Sequence, residues 1–361
     1  MIGSRRTLLA AAAALTLVII LVWGAAAPLG NSEGVAPAPP SRFDGLTMGT
    51  SYSVQYVAAF TAEQQRALEE EVGELLFELD KAVFSTYAQD SELSRLNRSA
   101  DLGPTAVSPE LFSVLEESLR VAELSGGAFD ITLAPVVDLW GFGPGKLSLQ
   151  RQRPPQDKLD RALSSVGYGA IKLNSANGTV EKERPLTLDL SAIAKGYGVD
   201  RLAELLESKG ISDYFVEMGG ELRISGHKDA RQQGWVPAIE APVDGPSQVY
   251  EVFRSRGESI AIAGSGDYRN YFESEGVRYS HEIDPRSGLP INHALAAVYV
   301  IDESAMTADA LATSYMVLGP TAALELAEAT GQAAYFIVRD GAAQQLEFTS
   351  FSTLAFADFL Q

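Results

Sequence analysis

The sequence predicts an α+β fold of mixed sheets flanked by helices, built as one elaborated domain over residues 41–361, and three observations carry that expectation. Apolar residues make up 46% of the 361 and charged residues 21%, the balance of a folded chain with a sizeable core. Segments with helical spacing of apolar residues alternate with short, clustered strand-like runs, which points away from a bundle or a sandwich. No internal repeat or low-complexity stretch interrupts the chain after Pro40.

The elements follow in order. Alternation over residues 52–57 predicts a strand entered through a tight turn at Gly49. Thr61 and Gln64 form a capping box for a helix whose Leu68, Val72, Leu75, Leu76, Leu79 and Val83 fall on one face. A second helix starts at Ser108 with Pro109 in its first position and stops at Gly126-Gly127. Residues 186–188 are strand-like, and a third helix covers 199–209 and ends at Gly210. Strands are expected over 214–216, 222–224, 249–253, 259–263 and 296–301, with a glycine-rich turn at Ala263-Gly-Ser-Gly-Asp-Tyr268. A last helix begins after Thr307.

The amino terminus predicts targeting. Arg5 and Arg6 precede an uncharged stretch over 8–27 that ends in Ala25, Ala26 and Ala27. Residues 1–27 therefore read as a signal peptide or a single-span membrane anchor, since twenty residues also cover a bilayer of about 30 Å. Residues 28–40, with Pro28, Pro37, Pro39 and Pro40, read as a linker. Either form places the body outside the cytoplasm, on the periplasmic side of an inner membrane.

Charge and counting exclude several chemistries. With 28 Lys and Arg against 47 Asp and Glu the net charge is −19, so a nucleic acid is repelled by most of the surface. The absence of cysteine removes disulfides, thiolate metal sites, Cys nucleophiles and lipid-modified Cys. Three histidines, His227, His281 and His293, leave no His-rich metal cage.

Three segments remain for chemistry. Asp309 and Thr313 lie one turn apart on a predicted helix, so a carboxylate and a hydroxyl share one face, suited to a hard cation such as Mg²⁺ and the phosphates it carries. The same pair also serves simply to complement the helix dipole and to pack. Asp189-Leu-Ser-Ala-Ile-Ala-Lys-Gly196 reads as a turn of small residues from a strand into a helix, where backbone approaches an anion and Lys195 meets a phosphate or a ribityl oxygen. Ser280-His-Glu-Ile-Asp-Pro-Arg-Ser-Gly288 offers His281 as a general base and Arg286 as a phosphate partner, although Asp284 to Gly288 alone would make an ordinary β-turn. Tyr87 and Phe129 are aromatic rings available for stacking.

In this order the motifs resemble the FAD:protein FMN transferases of the ApbE type. The matching pieces are Met48-Gly-Thr50, Phe84-Ser-Thr-Tyr87, Gly126-Gly-Ala-Phe-Asp130, Asp189 to Gly196 with Tyr197-Gly198, Met218-Gly-Gly220, Ser265-Gly-Asp-Tyr268, His281-Glu-Ile-Asp-Pro285 and Thr307 to Thr313. The resemblance implies that Met48, Tyr87, Ala128, Phe129, Asp130, Asp189, Lys195 and Ile283 line an FAD site. It also implies that Mg²⁺ sits among the Ala192 carbonyl, the Asp309 carboxylate, the Ala312 carbonyl and the Thr313 hydroxyl.

The family reaction would move FMN from FAD to a Thr or Ser hydroxyl of a partner protein, with release of AMP, and His281 is the expected base with Asp130 as second candidate. The partners implied are membrane redox subunits carrying roughly Asp-Gly-x-Ser/Thr-Gly-Ala-Ser/Thr. That sequence starts at Asp244-Gly-Pro-Ser247 and then fails, which argues against self-flavinylation. Gly264 and Glu282 depart from the family, which more often has a hydroxyl residue and an aliphatic one there. A Mg²⁺-dependent FAD pyrophosphatase yielding FMN and AMP, and an exported flavin-binding protein without turnover, use the same residues and stand as alternatives.

Overall fold

In this computed structural model, residues 40–143, 152–229, 231–340 and 347–360 are described. Residues 1–39, which hold the expected targeting segment and all but the last residue of the expected linker, lie outside them, and no helix among the described residues is long and apolar enough to cross a membrane.

Eight strands form the central sheet: β1 (Ser41–Thr47), β2 (Thr50–Tyr56), β3 (Tyr214–Met218), β4 (Glu221–Ser225), β5 (Ile260–Gly266), β6 (Leu295–Asp302), β7 (Ala333–Asp340) and β8 (Glu347–Ser352). They lie in that spatial order, and each neighbouring pair is antiparallel. The α+β expectation holds, with antiparallel ladders where mixed sheets were expected. β5 and β6 are buried on both faces, so they read as continuous apolar runs without alternation.

Helices cover the sheet. The Thr61–Gln64 capping box opens α1 (Ala62–Phe77), and the helix continues with a wider turn over Glu78–Phe84. Then come α2 (Glu92–Arg98), α3 (Pro109–Leu124), α4 (Ala134–Trp140) and α5 (Gln156–Leu163). α6 (Ala194–Ser208) and α7 (Ala305–Leu318) pack on each other and on the middle of the sheet, with α8 (Pro320–Thr330) beside α7. Small ladders lie outside the sheet, among them the hairpins Tyr271–Ser274 with Val277–Ser280 and Ile283–Asp284 with Leu289–Pro290.

Five local expectations change. Residues 186–188 are extended without pairing and form no strand. α6 begins at Ala194, not 199, so Lys195, Gly196 and Gly198 are helical. A Cβ on Gly196 would sit 2.2 Å from the Ala305 carbonyl oxygen, so the glycine is there for the crossing of α6 over α7 and not for a turn. The glycine-rich 263–266 segment is the end of β5, and a Cβ on Gly266 would meet the Tyr268 ring at 2.5 Å. α7 starts at Ala305 after the Ser304 cap, whose hydroxyl accepts from Thr307 N, so Thr307 lies inside the helix. The 249–252 strand exists but pairs with Ala238–Glu240, away from the main sheet.

Candidate active site

The crossing of α6 and α7 is held by Asp200, a residue the sequence did not single out. Its Oδ1 accepts from Arg223 Nη1 at 2.8 Å and Ala305 N at 2.9 Å, and its Oδ2 from Ser304 Oγ at 2.7 Å and Met306 N at 3.0 Å. One carboxylate thus satisfies the orphan amides that begin α7 and fixes that helix end to α6. Tertiary contact alone reveals this role, because Asp200 and Ser304 are more than a hundred residues apart.

One turn into α7, Asp309 is buried and points back at the start of α6. Its Oδ2 accepts from Gly196 N at 3.1 Å and lies 3.3 Å from Lys195 Nζ. Lys195 also reaches Glu221 Oε1 at 3.4 Å and the Ser191 carbonyl at 3.2 Å. Burial alone would lower the Lys195 ammonium, but Asp309 and Glu221 together hold it above its ordinary value. Burial pushes the Glu221 carboxyl well up, against the pull of Lys195, and its Oε2 is buried without a hydrogen-bond partner among the described residues. Glu221 was not among the expected residues. Only the β3–β4 turn, with Gly219 and Gly220 at φ +63° and +109°, brings it to Lys195.

Thr313, one turn beyond Asp309, has its hydroxyl 3.4 Å from Ser265 Oγ on β5. Of the expected cation ligands, Asp309, Ala312 and Thr313 lie on α7, and Ala192 follows Ser191, whose carbonyl meets the same Lys195 ammonium as Asp309. The donors are a carboxylate, a hydroxyl and backbone carbonyls, an all-oxygen set that fits a hard divalent cation. Among the described residues no cluster of three or more His, Asp or Glu side chains is placed to hold a metal.

The expected flavin-lining residues are placed unevenly. Met48 has φ 47° and its amide donates to Asp80 Oδ2 at 3.1 Å. Tyr87 is 75% exposed, its ring open at the surface. Asp189 is linked to the 128–131 segment by its amide, which donates to the Ile131 carbonyl at 2.8 Å, while its Oδ1 caps Ser191 N. Ala128 and Phe129 are buried, and Phe129 belongs to the core, so its ring is not presented for stacking. Ile283 packs with Val136, Trp140 and Leu159.

The two candidate bases differ. Asp130 is committed to local structure: Oδ1 accepts from Thr132 N and Oγ1, and Oδ2 from Tyr168 N at 3.0 Å. His281 is half-buried, its side chain 19% exposed, with a buried Nδ1 unpartnered among the described residues, and burial lowers its imidazole to about 4. Arg286 forms a two-pronged pair with Asp284, 2.8 and 2.9 Å, in the turn of its own hairpin and is spent there. His293 is tied to the Met316 carbonyl at 2.8 Å.

Comparison with known proteins bears on this geometry. The family model described as the ApbE family matches residues 48–337. A Vibrio cholerae protein named FAD:protein FMN transferase is 41% identical over 330 residues, covering 90% of this chain and 94% of its own. An Escherichia coli K12 protein of the same name is 38% identical over 301 residues, 82% of this chain and 84% of its own. Among solved structures, the flavin transferase ApbE from Vibrio cholerae superposes with a TM-score of 0.79 at 39% identity, over 89% of this chain and all of the other. The apo flavinyl transferase ApbE of Pseudomonas stutzeri gives 0.80 at 36% identity, over 91% and 99%.

Proposed function

The chain belongs to the ApbE family, and from that premise we propose that it moves FMN from FAD to a Thr or Ser hydroxyl of a partner protein, with Mg²⁺ as cofactor and AMP as the second product. Flavin transferase activity follows the relatives over most of the chain. The observation that supports the finer reading is the meeting of Lys195 and Gly196, at the start of α6, with Asp309 on α7, one turn before Thr313.

The residues divide the work. Asp309, Thr313 and the Ala192 and Ala312 carbonyls would hold the cation, which supplies charge neutralisation to the pyrophosphate of FAD. Lys195 adds a fixed positive charge beside it, and Glu221 keeps that ammonium in place. His281 takes the proton of the acceptor hydroxyl as its oxygen bonds to the FMN phosphorus and the bridging P–O bond to AMP breaks. In a protein of net charge −19, an anionic dinucleotide needs such a local cationic site. Arg5, Arg6 and the apolar 8–27 stretch support an exported body that meets membrane redox subunits as acceptors.

The test incubates the protein with FAD, Mg²⁺ and an acceptor carrying the Asp-Gly-x-Ser/Thr-Gly-Ala-Ser/Thr sequence, and follows AMP and covalent flavin fluorescence together. Both products, abolished by EDTA, are expected. AMP without labelled acceptor makes the chain a pyrophosphatase, and bound FAD with neither product makes it a flavin-binding protein.

A further inference from the structure

We propose that Glu282 is a positioning residue for His281: its carboxylate engages Nε2 of the imidazole and leaves Nδ1 as the atom that accepts the proton. This rests on the reading of His281 as the base.

The geometry comes first. His281 Nε2 lies 3.6 Å from Glu282 Oε1, and the two side chains are only 19% and 9% exposed. His281 is the one basic group within ion-pair distance of that carboxylate among the described residues. Both backbones are pinned, since His281 N donates to the Asn270 carbonyl at 3.0 Å, Glu282 N to Ser280 Oγ at 3.1 Å, and Ile291 N to the Glu282 carbonyl at 2.9 Å. The Phe142 ring meets the imidazole edge-on, with ring centroids 6.3 Å apart. Nδ1 is buried without a partner among the described residues. A buried imidazole nitrogen left unpaired is costly, and the acceptor hydroxyl satisfies it once it displaces the atoms that cover Nδ1.

A neutral imidazole has one donor and one acceptor nitrogen, and the group at one nitrogen selects the tautomer at the other. A carboxylate at Nε2 selects Nε2–H and so places the lone pair on Nδ1. Burial raises Glu282 to about 8, with Asp267 adding to the rise, while burial lowers His281 to about 4. Near neutrality the Glu282 carboxyl therefore keeps its proton beside a neutral His281 imidazole. Loss of that proton as pH approaches 8 produces the Nε2–H···carboxylate form with Nδ1 free.

The charged groups that face the pair are Asp267 after β5, Lys195 on α6 and Asp309 on α7. Asp267 is itself paired with Arg339 on β7. In the reaction the acceptor proton moves to Nδ1, the Glu282 carboxylate faces the resulting imidazolium, and the proton leaves to solvent after AMP departs.

The experiment uses the full chain and the variants Glu282→Gln, Glu282→Ile and His281→Ala. Only three histidines are present, so ¹⁵N-labelled imidazole spectra resolve His281, assigned by its loss in His281→Ala. The wild type should show His281 as the Nε2–H tautomer at high pH, and Glu282→Ile should show a tautomer mixture. Transfer by the wild type should rise about tenfold per unit toward pH 8. Glu282→Gln should lose that limb and fall about tenfold or more at the plateau, with FAD binding unchanged. Identical His281 spectra in wild type and Glu282→Ile, together with identical pH profiles in wild type and Glu282→Gln, overturn the dyad. A changed spectrum with His281→Ala still fully active overturns the base reading and the role given to Nδ1, while family membership and flavin transfer stand.

Discussion

Asp200 and Asp309 sit on the two helices that cross over the middle of the sheet, both buried, 8% and 3% exposed, and each carboxylate is satisfied in a different way. Asp200 accepts from two backbone amides, a hydroxyl and a guanidinium, all at 3.0 Å or less. Asp309 accepts one amide at 3.1 Å and otherwise meets the Lys195 ammonium at 3.3–3.4 Å, which Glu221 also holds. The first is a joint, because every oxygen is spent on holding α7 against α6. The second has oxygen capacity held by an exchangeable partner, which is what a cation-binding carboxylate requires. A buried acid is thus a scaffold or a site according to who satisfies it, not according to how deeply it lies.

The sharpest way to break this contrast is Asp309→Ala. Transfer should fall by about 10²- to 10³-fold while the melting temperature falls less than in Asp200→Ala, because Lys195 keeps Glu221 as a partner, measured by AMP release and thermal unfolding. Asp200→Ala should do the reverse. With Arg223 left buried without its partner and the first amides of α7 orphaned, stability should drop by about 3–5 kcal/mol in denaturant titration, with activity per folded molecule largely kept. Gly196→Ala forces a methyl against the Ala305 carbonyl and should cost about 1–3 kcal/mol, and it should also loosen the Gly196 amide from Asp309, so activity and stability fall together. Thr61→Ala, far from the crossing, removes one helix cap and should cost about 1 kcal/mol with no change in transfer.

Local signals were legible where a residue's role is decided by its sequence neighbours. The Thr61–Gln64 box, the Pro109 start of α3 and the one-turn spacing of Asp309 and Thr313 are of this kind. The motif order also identified the family, and it brought the Asp189 and Asp309 segments to one place. Glycine misled twice. Gly196 and Gly264 to Gly266 read as turns, whereas a helix crossing and a packed tyrosine ring set their size. Phe129 and Asp130 carried site chemistry by residue type, yet one ring fills the core and the other carboxylate holds its own turn. Asp200 and Glu221 had no local signal, because their partners, Ser304 and Lys195, come from distant segments. β1, β7 and β8 were not anticipated either; they complete the two edges of the sheet through pairings that only the folded chain specifies.

The most direct test of the contrast is intact-mass spectrometry of an acceptor protein after incubation with FAD, Mg²⁺ and each of three chains: wild type, Asp200→Asn and Asp309→Ala. The wild type and Asp200→Asn should both convert the acceptor to a single FMN phosphoester, and Asp309→Ala should leave it unmodified. An FMN adduct formed by Asp309→Ala at the wild-type rate would contradict the assignment of Asp309 to the site, and with it the distinction drawn between the two carboxylates.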